Sequence, residues 1–130
     1  MLAKFPGKSK GREKMTKKDE RRQYPRVYCE LPLKLAANGF DFATSTQNVS
    51  AVGAYCRINK YLPPFTKLAV RLSLPVNRGD QSDTLNVECK GVVVRSEDET
   101  SGGFNIAIFF NEIKDSQRQK IEQYISKSLP

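Results

Sequence analysis

From Val27 the chain alternates. Through Val27-Tyr28-Cys29-Glu30-Leu31-Pro32-Leu33-Lys34-Leu35 every odd position is apolar, which predicts a strand with one face buried, and Pro32 suggests a sheet edge or a bulge. Asn38-Gly39 follows, a strong short hairpin signal. A Thr- and Ser-rich strand is expected over Phe40 to Gln47, then a turn over Asn48 to Gly53. In the third strand Val52, Ala54, Cys56 and Ile58 share one face, and Gly53, Tyr55 and Arg57 share the other. Tyr61-Leu62-Pro63-Pro64-Phe65 reads as a loop. Lys67 to Leu74 alternates again with Leu68, Val70, Leu72 and Leu74 inside, and Pro75 to Asp83 is polar and turn-rich. Leu85 to Arg95 predicts a long strand with a bend or bulge at Gly91. Glu97 to Gly103 predicts a polar loop and Phe104 to Phe110 the sixth strand. Only the end has helical spacing: Ile113, Ile121, Tyr124 and Ile125, with Asp115 or Ser116 as candidate caps. The fold class is mainly β: six short-linked antiparallel strands and one terminal helix predict a small barrel, plugged or flanked by that helix.

Charge divides the chain. Residues 1–22 hold nine basic side chains against three acids, +6 of a total of +8. The remainder is close to neutral, so a broad nucleic-acid-binding face would have to be mostly tail. Residues 1–18, Lys- and Gly-rich with few apolar positions, are expected to be a disordered basic arm, and 19–130 the barrel domain with its helix. The 130 residues suffice for one domain with a core. There is no His, which removes Ser-His-Asp and Cys-His catalysis and the commonest metal ligand. Cys29, Cys56 and Cys89 are odd in number and widely spaced, so free thiols are expected rather than a disulfide framework or a zinc site. No signal peptide or membrane-spanning run is evident, and the expected location is cytoplasmic.

Two stretches carry candidate chemistry. Glu20-Arg21-Arg22-Gln23-Tyr24-Pro25-Arg26 concentrates three guanidiniums where Pro25 disfavours a helix. Arg grips phosphate bidentately and stacks on flat rings, although basic runs also occur simply as solvated charge. Asn48-Val49-Ser50-Ala51-Val52-Gly53 sets an amide, a hydroxyl and a glycine at a strand end. It suits either a ligand contact or an Asx-type turn. Its match to a glycosylation sequon is set aside because no secretory signal precedes it. Carboxylates such as Glu88, Glu97 and Asp98 have no partners visible in the sequence, so an enzyme is the weakest reading.

Together, Arg22-x-x-x-Arg26 before the first strand and Asn48-x-Ser50-x-x-Gly53 between the second and third resemble the PilZ domain family, receptors for cyclic di-GMP. The resemblance extends through Glu88 to Arg95, Phe104 to Phe110 and the closing helix, about residues 20 to 127. It implies a six-stranded barrel and a cyclic di-GMP effector without metal. Arg22 and Arg26 would grip phosphate or the O6/N7 edge of guanine. Asn48 and Ser50 would bond a guanine edge, and Gly53 would leave room for the base. Arg21, directly before the pair, resembles the extra Arg of relatives that bind an intercalated nucleotide dimer. Asn48 departs from the commoner Asp but stays within the family pattern. Arg57 shares the face of Gly53 and joins as an auxiliary contact. The expected mechanism is ordering of the segment around Arg21 to Arg26 on nucleotide binding, read by a protein partner not identifiable from the sequence. The alternatives are a degenerate PilZ adaptor that binds protein without nucleotide, and a small-barrel nucleic-acid binder using the basic arm.

Overall fold

The strongest hairpin signal is met directly. Asn38 and Gly39 take φ of 53° and 82°, the left-handed pair that matches strand twist in a two-residue turn. They join β1 (Pro32–Ala37) to β2 (Phe40–Ser50). The computed structural model describes residues 25–128. Further along are β3 (Gly53–Ile58), β4 (Lys67–Arg78), β5 (Gln81–Asp98), β6 (Phe104–Glu112) and the helix α1 (Asp115–Ser128). All strand pairs are antiparallel, and the sheet closes as β1-β2-β3-β6-β5-β4.

The alternation sorts the side chains as expected. Leu33 and Leu35 of β1, Ala54, Cys56 and Ile58 of β3, and Leu68, Val70, Leu72 and Leu74 of β4 all face the core. Each large one contributes roughly 1.5–3 kcal/mol by leaving water. Ile121 and Ile125 of α1 join the same core. The helix also seals β5 beyond the end of β6: the backbone N–H of Glu88 donates to Gln117 Oε1 at 2.9 Å, and Lys120 Nζ donates to the Asn86 carbonyl at 3.2 Å.

Four expectations change. The first ladder begins at Pro32, not Val27, and only Val27 of the preceding segment bridges to β2. The turn expected over Asn48 to Gly53 is only Ala51-Val52, so Asn48, Val49 and Ser50 belong to β2. Pro75 to Asp83 is not a loop but the outer part of the β4–β5 hairpin, turning at Gly79-Asp80. Polar positions mislead there because both faces of that arm meet water. Finally, the carbonyl of Lys114 accepts the first helical bonds, from Gln117 and Arg118. Asp115 instead sits in the first turn, 3.3 Å from Arg118 Nη1, where its charge suits the helix dipole.

Gly91 lies at the expected irregularity, a register shift between Lys90 and Val92. All three cysteines are free. Burial pushes the Cys56 and Cys89 thiols up to about 12, so both stay protonated near neutral pH. No helix among the described residues is long and apolar enough to cross a membrane.

Candidate functional site

A single bridge brings the two sequence motifs together. Val27 N–H donates to the Val49 carbonyl and Val49 N–H to the Val27 carbonyl, both at 2.9 Å. Being antiparallel, this pair sets Arg26 against Ser50 and Tyr28 against Asn48. Val27 and Val49 point inward, so Arg26 and Tyr28 lie outside, and both are exposed. Arg21 and Arg22 lie outside the described residues.

The segment after Arg26 is clamped rather than laddered. Gln47 is an extra residue in β2, shown by the register shift between Thr46 and Asn48. Such a bulge leaves backbone groups beside it without regular partners. Buried Thr46 makes up the difference. Its hydroxyl accepts from Leu31 N–H at 2.9 Å and donates to the Cys29 carbonyl at 2.6 Å, and its own N–H donates to the Leu31 carbonyl at 2.9 Å. Cys29 then reaches α1. Burial raises its thiol, against a hydrogen bond from Tyr124 that lowers it.

Across β2 and β3, Asn48 opposes Tyr55, Val49 opposes Ala54 and Ser50 opposes Gly53. Ala54 and Val49 face the core, which puts Asn48, Ser50, Gly53 and Tyr55 on the outer face. Even there, Asn48 is only 8% and Ser50 1% exposed. Ser50 Oγ accepts from Val52 N–H at 3.2 Å and so shapes the tight loop, while Val52 is fixed to β6 by a 2.8 Å bond from Phe110 N–H to its carbonyl. A Cβ at Gly53 would land on the carbonyl oxygen of Ile108. The close approach of β6 therefore requires this glycine whatever lies above it.

The outer face reads as two cross-strand rows. One runs Arg26, Ser50, Gly53, Phe109 and Val92; the other runs Tyr28, Asn48, Tyr55, Ala107 and Arg95. Arg57 shares the face but is occupied further along it. Its Nη2 donates to the Gly102 carbonyl, in the β5–β6 loop. There Glu99 accepts from Asn105 Nδ2 at 2.6 Å, which, with backbone bonding at Ser101 and the nearby Arg57 charge, holds its carboxyl below the usual range. The structure thus brings Arg26, Asn48, Ser50 and Gly53 together and ties Arg57 to the loop. Tyr28 and Phe109 were passed over in the sequence. Tyr28 is legible from its two-residue spacing to Arg26, whereas Phe109 needs the β3–β6 pairing.

Two carboxylates without visible partners in the sequence acquire them. Glu97 accepts from the Tyr55 hydroxyl at 3.3 Å, and Glu88 pairs with Arg71 at 2.6 Å. An open cleft of about 1450 Å³ lies on the other arc, between β1, β4, β5 and the start of α1. It contains none of the motif residues. Four of its charged residues pair with one another, Arg71 with Glu88 and Lys90 with Glu112. Among the described residues no group of three His, Cys, Asp or Glu side chains is placed to hold a metal.

The outer sheet face thus carries a guanidinium, an amide and a hydroxyl beside flat rings. The chain belongs to the PilZ domain family: the family model matches residues 20–127. PilZ domains are a cyclic di-GMP receptor family of binding domains, not enzymes. The fold is also that of the Bacillus subtilis Inhibitor of motility, MotI/DgrA, at TM-score 0.72 and 22% identity, covering 83% of this chain. The match takes in 51% of that protein, so this chain spans about half its length. A second similar structure is the PilZ domain of YcgR from Escherichia coli with c-di-GMP, at TM-score 0.56 and 13% identity, covering 84% of this chain and 91% of that one. No curated protein sequence matches the chain.

Proposed function

We propose that this protein is a cyclic di-GMP effector. The observation that carries the proposal is the Val27–Val49 bridge, which sets Arg26 beside Ser50 and Asn48 on one outer face. Arg26 supplies a free planar fork for a phosphate or for the O6/N7 edge of guanine. Asn48 offers both a donor and an acceptor to a base edge, and Ser50 retains a hydroxyl proton beyond the bond it accepts. Arg22 and Arg21 complete the Arg cluster, with Arg21 stacking on a base if the ligand enters as an intercalated dimer. Arg57 takes part only by leaving Gly102.

Binding is coupled to output through ordering of the Arg21 to Arg26 segment, which changes the surface offered to a protein partner. Motility is the natural class of process to examine, given that one similar structure is named an inhibitor of motility.

Calorimetric titration of cyclic di-GMP into the wild type and Arg22→Ala, with GTP as control, tests the reading. We expect saturable wild-type binding, lost or strongly weakened in the variant, and a stoichiometry that decides Arg21's role. Wild-type protein that does not bind would put the adaptor reading in its place. Hydrogen exchange over residues 21–26 should slow on binding. Unchanged exchange alongside binding would remove the ordering switch alone.

A further inference from the structure

Asn48 stands between two tyrosines. The Val27–Val49 pair sets Tyr28 against it on one side, and the β2–β3 ladder sets Tyr55 against it on the other. Directly opposed Cβ atoms in an antiparallel pair lie about 4.5–5.5 Å apart, so roughly 9–11 Å separates the roots of the two rings. A flat base sandwiched between rings needs about 7–8 Å at carbon–carbon contact distances, which a modest lean of either side chain provides. That spacing would admit one heterocycle with its edge toward the amide of Asn48, itself 8% exposed.

Neither ring belongs to the hydrophobic core. Tyr28 is 79% exposed, while Val27 and Cys29 on either side of it pack against the core. Tyr55 is held at its tip, where its hydroxyl donates to Glu97 at 3.3 Å. That bond steadies the half-buried ring. Among the described residues the aromatic pair in ring contact is Tyr61–Phe104, away from this row.

We propose that Tyr28 and Tyr55 are the stacking contacts for a guanine of the dinucleotide, one on each side of the amide that bonds the base edge. This rests on the cyclic di-GMP reading above and assigns two ligand contacts outside both motifs. Arg26 and Asn48 meet charge and edge; the two rings meet the faces of the base. The arrangement also separates two roles. Stacking accepts any base, because every base has a π-face, so discrimination for guanine stays with Asn48 and Arg26.

The test is calorimetry of cyclic di-GMP with the full chain and five variants: Tyr28→Phe, Tyr28→Ala, Tyr55→Phe, Tyr55→Ala and, as a remote exposed ring, Phe40→Ala. A base–aromatic stack corresponds to roughly 5- to 150-fold in affinity. The two Ala variants should therefore bind about fivefold or more weakly, while both Phe variants stay within about twofold because the ring persists. Phe40→Ala should bind like wild type, and thermal melts establish that each variant is folded. The chain has no Trp, so Tyr28→Trp adds a single reporter whose emission should be quenched on saturation with nucleotide. Wild-type binding with unweakened Ala variants, or an unquenched reporter at saturation, overturns the stacking role and leaves the receptor reading standing. Absence of wild-type binding removes the receptor reading and the stacking role with it.

Discussion

Gly53 shows why a motif residue needs a structure to interpret it. In the sequence it reads as space for a ligand, and in the fold it is also the only residue that β6 can pass, since a Cβ would strike the Ile108 carbonyl. Backbone meets side chain there, so a neighbouring rotamer change cannot relieve the clash. Gly53→Ala should destabilise the protein by roughly 1–3 kcal/mol, the usual cost of overpacking, and lower Tm correspondingly in a thermal melt. An unchanged Tm would mean that β6 moves aside freely, and Gly53 would then be a ligand residue alone. Asn48 and Ser50 were candidates from their types and spacing. Arg57 was legible only as to its face: its hydrogen-bond partner Gly102 lies 45 positions away, and no local pattern reports a contact of that range.

At the level of elements, alternation predicted sidedness better than pairing. Val27, Cys29 and Leu31 do face inward, as the odd-position rule requires, yet the ladder starts only at Pro32. The cause is the bulge at Gln47, which shifts β2 out of register with the segment beside it. Bulges leave little trace in a polar, Thr-rich strand. The Thr46 hydroxyl replaces the missing ladder with a side-chain clamp on Leu31 and Cys29. Thr46→Val keeps the shape and removes both bonds, leaving a buried N–H and carbonyl short of partners at a cost of roughly 1–3 kcal/mol. Amide exchange at Val27 and Leu31 should speed up in this variant. Exchange equal to wild type would show that the Val27–Val49 bridge alone holds Arg26 in place.

For the whole molecule, six strands, a terminal helix and a barrel were legible, while the pairs that close it were not. Hairpins between neighbours announce themselves through turns such as Asn38-Gly39, but the pairs that close the ring, β1 with β4 and β3 with β6, join strands distant in sequence. Closure is what matters for function. It presents β2, β3 and β6 as one continuous outer face, with Arg26 delivered to its edge by an interaction no motif encodes. The central claim is therefore that Arg26 and Asn48 act on one ligand. The most direct check is a double-mutant cycle for cyclic di-GMP affinity with Arg26→Ala, Asn48→Ala and the pair. A shared ligand predicts a coupling of about 1 kcal/mol or more, within the range found for residues that meet through common partners. Effects that add to within about 0.5 kcal/mol, or a wild type with no saturable binding, would contradict it.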